Sequence, residues 1–239
     1  MLTLWNMLFY KPIYNTLFFV VDILPNHSLF IAVIILTIIV RLIISPLSYK
    51  SVKTQIKTKK LQPQLNEIKN TITDKQEQAQ KTLELYRKEG INPFSSFLLL
   101  LVQLPIIIAL YRVFQNGLIV DIDLLYSFVS APEIINTQFL GINLAEKSLL
   151  LAVLAGITQY LHISQSTGMQ QMKSTEGATE QEKMMAGVGK LMKFMLPAMI
   201  TVFAYNFGGA LALYFVTSNI FMFAQEKIVQ NMLNVNNRK

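Results

Sequence analysis

Residues 29–50 read LFIAVIILTIIVRLIISPLSYK. Most of these side chains are aliphatic, and the run is long enough to cross a bilayer, because a spanning helix needs about 20 apolar residues. One cation, Arg41, lies inside the run, where a charge costs on the order of 2.5–3.5 kcal/mol. Residues three and four positions apart share a helix face, which puts four polar residues on one stripe: Thr37, Arg41, Ser45 and Ser48. The stretch therefore predicts a membrane-spanning helix with a polar, charged seam.

Arg41 has two interpretations. Its side chain could extend to the nearer membrane surface beyond Tyr49, or it could line a polar cavity between helices. The cavity is favoured because a charge within a span is by default functional. The predicted spans hold no internal Asp or Glu that could neutralise Arg41, and a buried cation without an anion needs water. We therefore expect water-filled space around Arg41 that opens towards the basic segment that follows.

The composition indicates a membrane protein with several spans. Of the 239 residues, 52% are hydrophobic and 15% are charged, which is too apolar for an ordinary soluble domain. The chain contains no cysteine, which excludes disulfides and thiolate chemistry. It has no HExxH, GxSxG or P-loop motif and no paired carboxylates in a span, and His27 and His162 are too far apart for an ordinary metal site. The sequence thus predicts no catalytic residue, metal, cofactor or enzymatic activity.

The predicted fold is all-α, with an amino-terminal helix on the membrane surface and five spans. Residues 1–26 are rich in aromatic residues, which favour the membrane interface, and show no signal peptide. The remaining predicted boundaries are spans at 27–48, 93–115, 147–164, 191–206 and 208–225, a hairpin at 49–92, loops at 117–146 and 165–190, and a tail at 226–239.

Charge gives the predicted orientation. The loop 117–146 holds acidic residues and no basic one, whereas the hairpin 49–92 is rich in lysine. Since basic segments stay in the cytoplasm, the hairpin, the loop 165–190 and the tail are predicted cytoplasmic. The amino terminus is then outside and the carboxy terminus inside.

The segment 49–92 is predicted to be a hairpin of two amphipathic helices. Apolar residues recur at near-helical intervals with a break at Pro63. The second helix has Thr73 and Gln76 spaced as a capping box and Gly90 placed to end it. The basic residues expected to recruit a binding partner are Lys53, Lys57, Lys59, Lys60 and Arg87. A disordered basic linker is the alternative.

Uncharged polar residues recur in the other predicted spans. The fifth span carries Tyr214, Thr217, Ser218 and Gln225 on roughly one face, and the second carries Gln103. Taken singly, such residues commonly hydrogen-bond neighbouring helices, at about 0.6 kcal/mol each. Together with Arg41 they predict a polar path through the bundle.

Several segments resemble one known family in order and separation: RLIISPLS, LQPQL, LYRKEGINPF, LVQLPIIIALYRVF, KFMLPAMITVF and LALYFVTSNIFMFAQE. The chain is similar to the YidC/Oxa-type membrane protein insertases from Tyr10 to Lys227. Gly208 stands where a proline is common before the last span, and Ala210 where a glycine is usual. The large external domain of some members is missing, so the chain looks like the minimal form.

The resemblance implies a hydrophilic groove that is open to the cytoplasm and to lipid but closed on the outside. Arg41 would lie in this groove, and Gln103, Tyr214 and Ser218 fall on its lining positions. In such a family the groove receives short polar parts of nascent membrane proteins, and the cytoplasmic hairpin helps to recruit them. The resemblance also implies a lipid bilayer environment and suggests the ribosome and a Sec-type translocon as partners, with no specific nucleic-acid binding.

Two other classes of function stay open. A secondary transporter also places polar residues at mid-membrane, but it usually shows inverted repeats, and none is visible here. A membrane scaffold whose hairpin binds a soluble partner would need a dry core. With no presequence recognised, the expected location is a bacterial plasma (inner) membrane.

Overall fold

The fold is organised around one long helix. A computed structural model describes residues 2–92, 95–115, 118–166 and 180–236. Helix α3, Leu29–Lys60, begins where the Ser28 hydroxyl accepts a hydrogen bond from the Ile31 amide at 3.5 Å. Within the described residues, α3 is the one helix long and apolar enough to cross a membrane, and shorter apolar helices occupy Leu101–Gln115 and Leu149–Gln165.

Helix α3 passes through the predicted boundary at residue 48 without a break, and Pro46 lies inside it. Its polar stripe faces the protein interior, with Thr37 and Arg41 buried, whereas Leu42 and Ile43 point outwards. The seam predicted from spacing is therefore an inward face of the helix.

The amino-terminal residues form a nearly continuous helical segment that packs against α3. It consists of α1, Leu2–Trp5, a π-helical stretch, Asn6–Tyr10, and α2, Lys11–Ile23. One face of α2 is buried, including Leu17 and Phe18, because its apolar residues repeat at helical spacing. This segment braces the start of α3.

Two shorter helices follow α3 as a hairpin. Helix α4, Gln62–Thr71, has Pro63 in its first turn, where a missing amide hydrogen costs nothing. Helix α5, Lys75–Lys88, runs back along it, and a small apolar cluster of Leu61, Leu65 and Ile91 holds the two together. The predicted capping box at Thr73 is wrong: the Asp74 carboxylate caps α5 by accepting from the Gln76 amide at 3.1 Å.

The remaining helices complete a bundle with α3. They are α6, Ser95–Gln115, α7, Leu149–Gln165, α8, Glu180–Phe207, and α9, Gly209–Asn236. Helix α9 packs between α3 and α7, α7 packs on α8, and α6 packs on α3 and also contacts α9. The approach of α7 to α8 depends on Gly156, because a Cβ there would overlap the Thr201 side chain.

Two of these helices extend beyond the predicted spans. Helix α8 begins at Glu180, inside the predicted loop 165–190, of which residues 167–179 lie outside the described residues. Helix α9 continues to Asn236, through most of the predicted tail. The link between them is tight, as predicted, with Gly208 at φ +98°.

The segment 118–148 covers the end of the bundle where α3 and α9 begin, which we call the loop end. It contains a short antiparallel pair, β1, Gln138–Phe139, and β2, Ile142–Asn143. The amide of Leu29 donates to the Asn136 carbonyl at 2.9 Å, and that of Gly209 donates to the Glu146 carbonyl at 2.7 Å. We call the opposite end, where α4 and α5 lie, the hairpin end.

Candidate functional site

The Arg41 side chain extends from α3 and is buried against α9. Only 6% of the residue is exposed. Its Nε donates to the Ser218 hydroxyl at 2.7 Å, and a second guanidinium nitrogen donates to the same oxygen. A guanidinium carries five N–H donors, and Ser218 is its one hydrogen-bond acceptor within the described residues. Arg41 therefore keeps donors that an incoming polar group can use.

No carboxylate of the described chain lies within ion-pair distance of Arg41. Its electrostatic neighbours are Tyr214 and His162. A buried cation of this kind attracts anionic groups strongly because the surrounding helices have a low dielectric constant. The arrangement favours an acidic or polar guest over an apolar one.

The other predicted groove residues make a polar layer around Arg41. Gln103 of α6 donates to the Tyr214 hydroxyl at 2.7 Å. Gln225 of α9 donates to the Ser45 hydroxyl at 2.8 Å. The layer thus joins α6, α9 and α3, and the Gln225 amide also donates to the Ser45 backbone carbonyl at 3.3 Å.

Two predicted residues contribute less to this layer. The Thr37 hydroxyl donates to the Val33 carbonyl of its own helix at 2.6 Å. Thr217 is half-buried beside Ser218. Both lie on the faces of α3 and α9 that carry the layer, but Thr37 does not bond across to another helix within the described residues.

Sequence reasoning missed one buried acid. It placed Glu226 in a cytoplasmic tail and took the spans to hold no acid, whereas Glu226 is buried inside α9, with 6% exposed. Its carboxylate lies 3.6 Å from His162 Nε2 on α7. Glu226 lies about 12 Å along the helix from Ser218, directly after Gln225 of the layer. It contacts α7 through His162, which is also an electrostatic neighbour of Arg41.

A second missed residue, Asn219, faces away from Arg41. Its amide donates to the Ala155 carbonyl and the Thr158 hydroxyl, both at 3.2 Å. Asn219 follows Ser218 directly in the chain, and consecutive helix residues point in different directions. Polar residues at consecutive positions of α9 were the sequence signal that this helix has two polar faces.

The predicted recruitment residues separate into two groups. Lys53, Lys57 and Lys60 line one cavity of about 340 Å³ between α3, the end of α5 and Leu233 of α9. Its floor is apolar, with Ile56, Leu61 and Ile91. Lys59 and Arg87 are exposed but do not line this cavity. Glu89 also lines this cavity. Three lysines and one glutamate thus surround apolar side chains, and the net positive charge favours an amphipathic, acidic segment.

A second cavity of about 340 Å³ lies beside the polar layer at the hairpin end. It is lined mainly by apolar side chains of α9 and by Ser45 and Tyr49 of α3. Both of these cavities are at the hairpin end. The described residues contain no cluster of three or more His, Asp or Glu side chains that could hold a metal.

Comparison with known proteins gives consistent matches. The family model described as "60Kd inner membrane protein" matches residues 19–237, which include the whole polar layer. A "Membrane protein insertase YidC" of Oceanobacillus iheyensis is 32% identical over 231 residues, covering 95% of this chain and 83% of that protein. One of the same name from Clostridium tetani is 32% identical over 210 residues, covering 87% and 84%. "Membrane protein insertase MisCA" of Bacillus subtilis is 30% identical over 212 residues, covering 86% and 70%.

Proposed function

Because the chain belongs to the YidC/Oxa-type family of membrane protein insertases, we propose that it inserts nascent membrane proteins through the polar layer around Arg41. A polar client segment cannot enter hydrocarbon without a large desolvation cost. Hydrogen-bonding side chains inside the bundle lower that cost over part of the membrane. The mechanism needs no covalent step and no nucleotide, and hydrophobic insertion of the client together with the membrane potential supplies the driving force.

The observation that carries this proposal is the buried Arg41–Ser218 contact between α3 and α9. A guanidinium with spare donors and no carboxylate in reach, within the described residues, is a binding element for acidic and polar client segments. The neighbouring pairs Gln103–Tyr214 and Ser45–Gln225 extend the same surface. In the state described, the layer is closed on itself, so a client would enter by exchanging its own polar groups for these contacts.

The proposed entry is from the hairpin end. The two cavities at that end support this direction, and so does the closure of the loop end by backbone hydrogen bonds to Leu29 and Gly209. We propose that the basic cavity at Lys53, Lys57 and Lys60 recruits clients, with Lys59 and Arg87 adding to the attraction.

The proposed exit is sideways into lipid between α6 and α8. These helices meet where Tyr111 packs edge-to-face on Phe207, with ring centroids 4.6 Å apart. Each helix also exposes a stripe of apolar side chains at helical spacing: Leu101, Leu104 and Ile108 on α6, and Met195, Met199 and Val202 on α8. Such stripes are compatible with lipid and with an apolar client helix.

The full proposed topology has five spans, α3, α6, α7, α8 and α9, in a bacterial inner membrane. The basic hairpin end faces the cytoplasm and the loop end faces outwards, with α1 and α2 at the outer surface. The ribosome and a Sec-type translocon are proposed as further partners on the cytoplasmic side and in the membrane.

The test compares two clients that differ only in the charge of the translocated segment. In proteoliposomes, Arg41→Ala should reduce insertion of a client with an acidic segment at least fivefold, and insertion of the neutral version less than twofold. Arg41→Lys keeps the charge and should retain part of the activity for the acidic client. The matched control is Ile43→Ala, because Ile43 lies on the outward face of the same helix with 72% exposed.

An equal loss of insertion for both clients would show that Arg41 does not recognise client charge. Its role would then be structural. Equal loss in Arg41→Ala and Ile43→Ala would mean that the site is not the polar layer at all. The proposed insertase function would be overturned if the unaltered protein inserted neither client.

A further inference from the structure

The β-hairpin of segment 118–148 has a leucine where its turn disfavours one. β1 and β2 are joined by Leu140 and Gly141, at φ +49° and +79°. Positive φ at both central residues is the pattern of a type I′ turn, which strongly prefers Asn-Gly or Asp-Gly. A bulky side chain at positive φ is sterically unfavourable. The turn alone would therefore not select leucine at position 140.

Packing within the chain does not explain this leucine either. Leu140 is 86% exposed, the highest value among the exposed large apolar residues of the described chain. Backbone strain tends to persist where it serves a function. A strained residue with almost no internal contact indicates that its side chain contacts something outside the chain.

The position of the β-hairpin indicates what the Leu140 side chain contacts. Phe139 stacks on Phe30 with ring centroids 3.6 Å apart, and Ser28 forms a β-bridge with Asn136. Phe30 belongs to the first turn of α3, the helix long and apolar enough to cross the bilayer. The residue next to Leu140 is therefore fixed at the level where that helix begins.

The lack of ionisable side chains in the β-hairpin agrees with contact with lipid. Residues 134–145 read IINTQFLGINLA and contain no ionisable side chain. Besides Leu140 they expose Ile134. Uncharged segments with exposed aliphatic side chains lie favourably in the interfacial layer of a membrane. A water-soluble partner would more often be met by a mixture of polar and charged groups.

We propose that the Leu140–Gly141 tip inserts into the interfacial layer of the lipid bilayer and anchors the start of α3 at the loop end. Its ligand is the boundary between phospholipid headgroups and acyl chains. The inference needs α3 to cross the membrane, but it is independent of the polar layer, of client insertion and of which side the loop end faces.

Fluorescence can test this directly, because Trp5 is the only tryptophan of the chain. In a Trp5→Phe background, Leu140→Trp places an indole at the tip. In vesicles of phospholipid brominated near the headgroup end of the acyl chains, its emission should fall to half or less of that in unbrominated vesicles. In the same background, Ala79→Trp places an indole on the exposed surface of α5. Its emission should differ by less than a tenth between the two kinds of vesicle.

A second measurement does not depend on tolerating tryptophan in the turn. Leu140→Cys and Asp123→Cys each give a single thiol in this cysteine-free chain, and both lie in the same segment, so vesicle orientation affects them equally. A membrane-impermeant maleimide should react at least fivefold more slowly at position 140 than at exposed position 123. Equal rates, or quenching at position 140 no greater than at position 79, would overturn the proposal.

Discussion

The loop end and the hairpin end of the bundle are held together by different kinds of contact. At the loop end, backbone hydrogen bonds tie the segment 118–148 to the first turns of two helices, with Gly209 donating to Glu146 at 2.7 Å and Ala210 to Leu144 at 2.9 Å. At the hairpin end, side chains make the contacts, as between Gln225 and Ser45 at 2.8 Å and between His162 and Glu226 at 3.6 Å.

This difference separates a fixed end from an exchangeable one. The first amides of a helix have no partner within the helix, so carbonyls of the loop that satisfy them are costly to remove. Side-chain hydrogen bonds, in contrast, can be replaced by equivalent bonds to a client or to water at little net cost. The proposed entry of polar segments from one side only requires both kinds of end.

The largest expected effect comes from disrupting the fixed end at Gly209. A Cβ there would lie 3.1 Å from Leu144 Cα and 3.2 Å from the Glu146 carbonyl oxygen, and both are backbone atoms that cannot rotate away. Gly209→Val should therefore destabilise the protein by about 1–3 kcal/mol, as overpacking usually does, and loosen the loop end. Thermal unfolding in detergent would measure the loss.

Labelling shows whether the loop end has opened. Thr217→Cys introduces a single thiol at a half-buried position of α9. Under the proposed topology it should react with an impermeant reagent from the cytoplasmic side only. Combined with Gly209→Val, it should also react from the outside. Gly90→Asn is the control, since a Cβ at Gly90 meets nothing within 4 Å and asparagine tolerates its φ of +62°. Unchanged sidedness in the Gly209 variant would show that the backbone bonds do not provide the seal.

A similar loss of stability, but without opening of the loop end, is expected in the polar layer. Ser218→Ala removes the acceptor of both Arg41 donors, and a hydrogen bond to a charged group contributes about 1.5–3 kcal/mol. The melting temperature should fall, and insertion of an acidic client should fall more than insertion of a neutral one.

Ser164→Ala is the matched control for that change. Ser164 is also a serine on a bundle helix, but its buried hydroxyl has no hydrogen-bond partner within the described residues. Its replacement should leave stability nearly unchanged or raise it slightly. If Ser218→Ala and Ser164→Ala lowered the melting temperature equally, the Arg41–Ser218 bond would make no measurable contribution to stability.

The helical periods and the inward direction of Arg41 could be predicted because they follow from local spacing. Within residues 29–50, apolar side chains cover most faces of α3. The polar side chains of the same run fall on one stripe of the helix. The pairing of Arg41 with Ser218, 177 positions apart, was not predictable from spacing. It depends on how α9 rotates against α3, which only packing determines.

Helix α9 continues past the predicted end of the fifth span, and the reason is related. Ala224 is the last residue of the apolar run, and the polar residues that follow resemble a solvated tail. Glu226 nevertheless stays buried because the helix continues and α7 presents His162 to it. A charged residue at the end of an apolar stretch is ambiguous until its neighbours on other helices are known.

The smallest expected effect lies in the hairpin, where the sequence and the structure disagree on the cap of α5. Asp74→Ala removes the acceptor of the Gln76 amide and should cost about 1 kcal/mol, because one amide of the first turn then loses its partner. Amide exchange in α5, Lys75–Lys88, should become about fivefold faster for that free-energy change, while exchange in α3 stays the same. Thr73→Ala is the control and should have little effect, since the Thr73 side chain caps nothing within the described residues. An effect of Thr73→Ala as large as that of Asp74→Ala would restore the capping box that the sequence predicts.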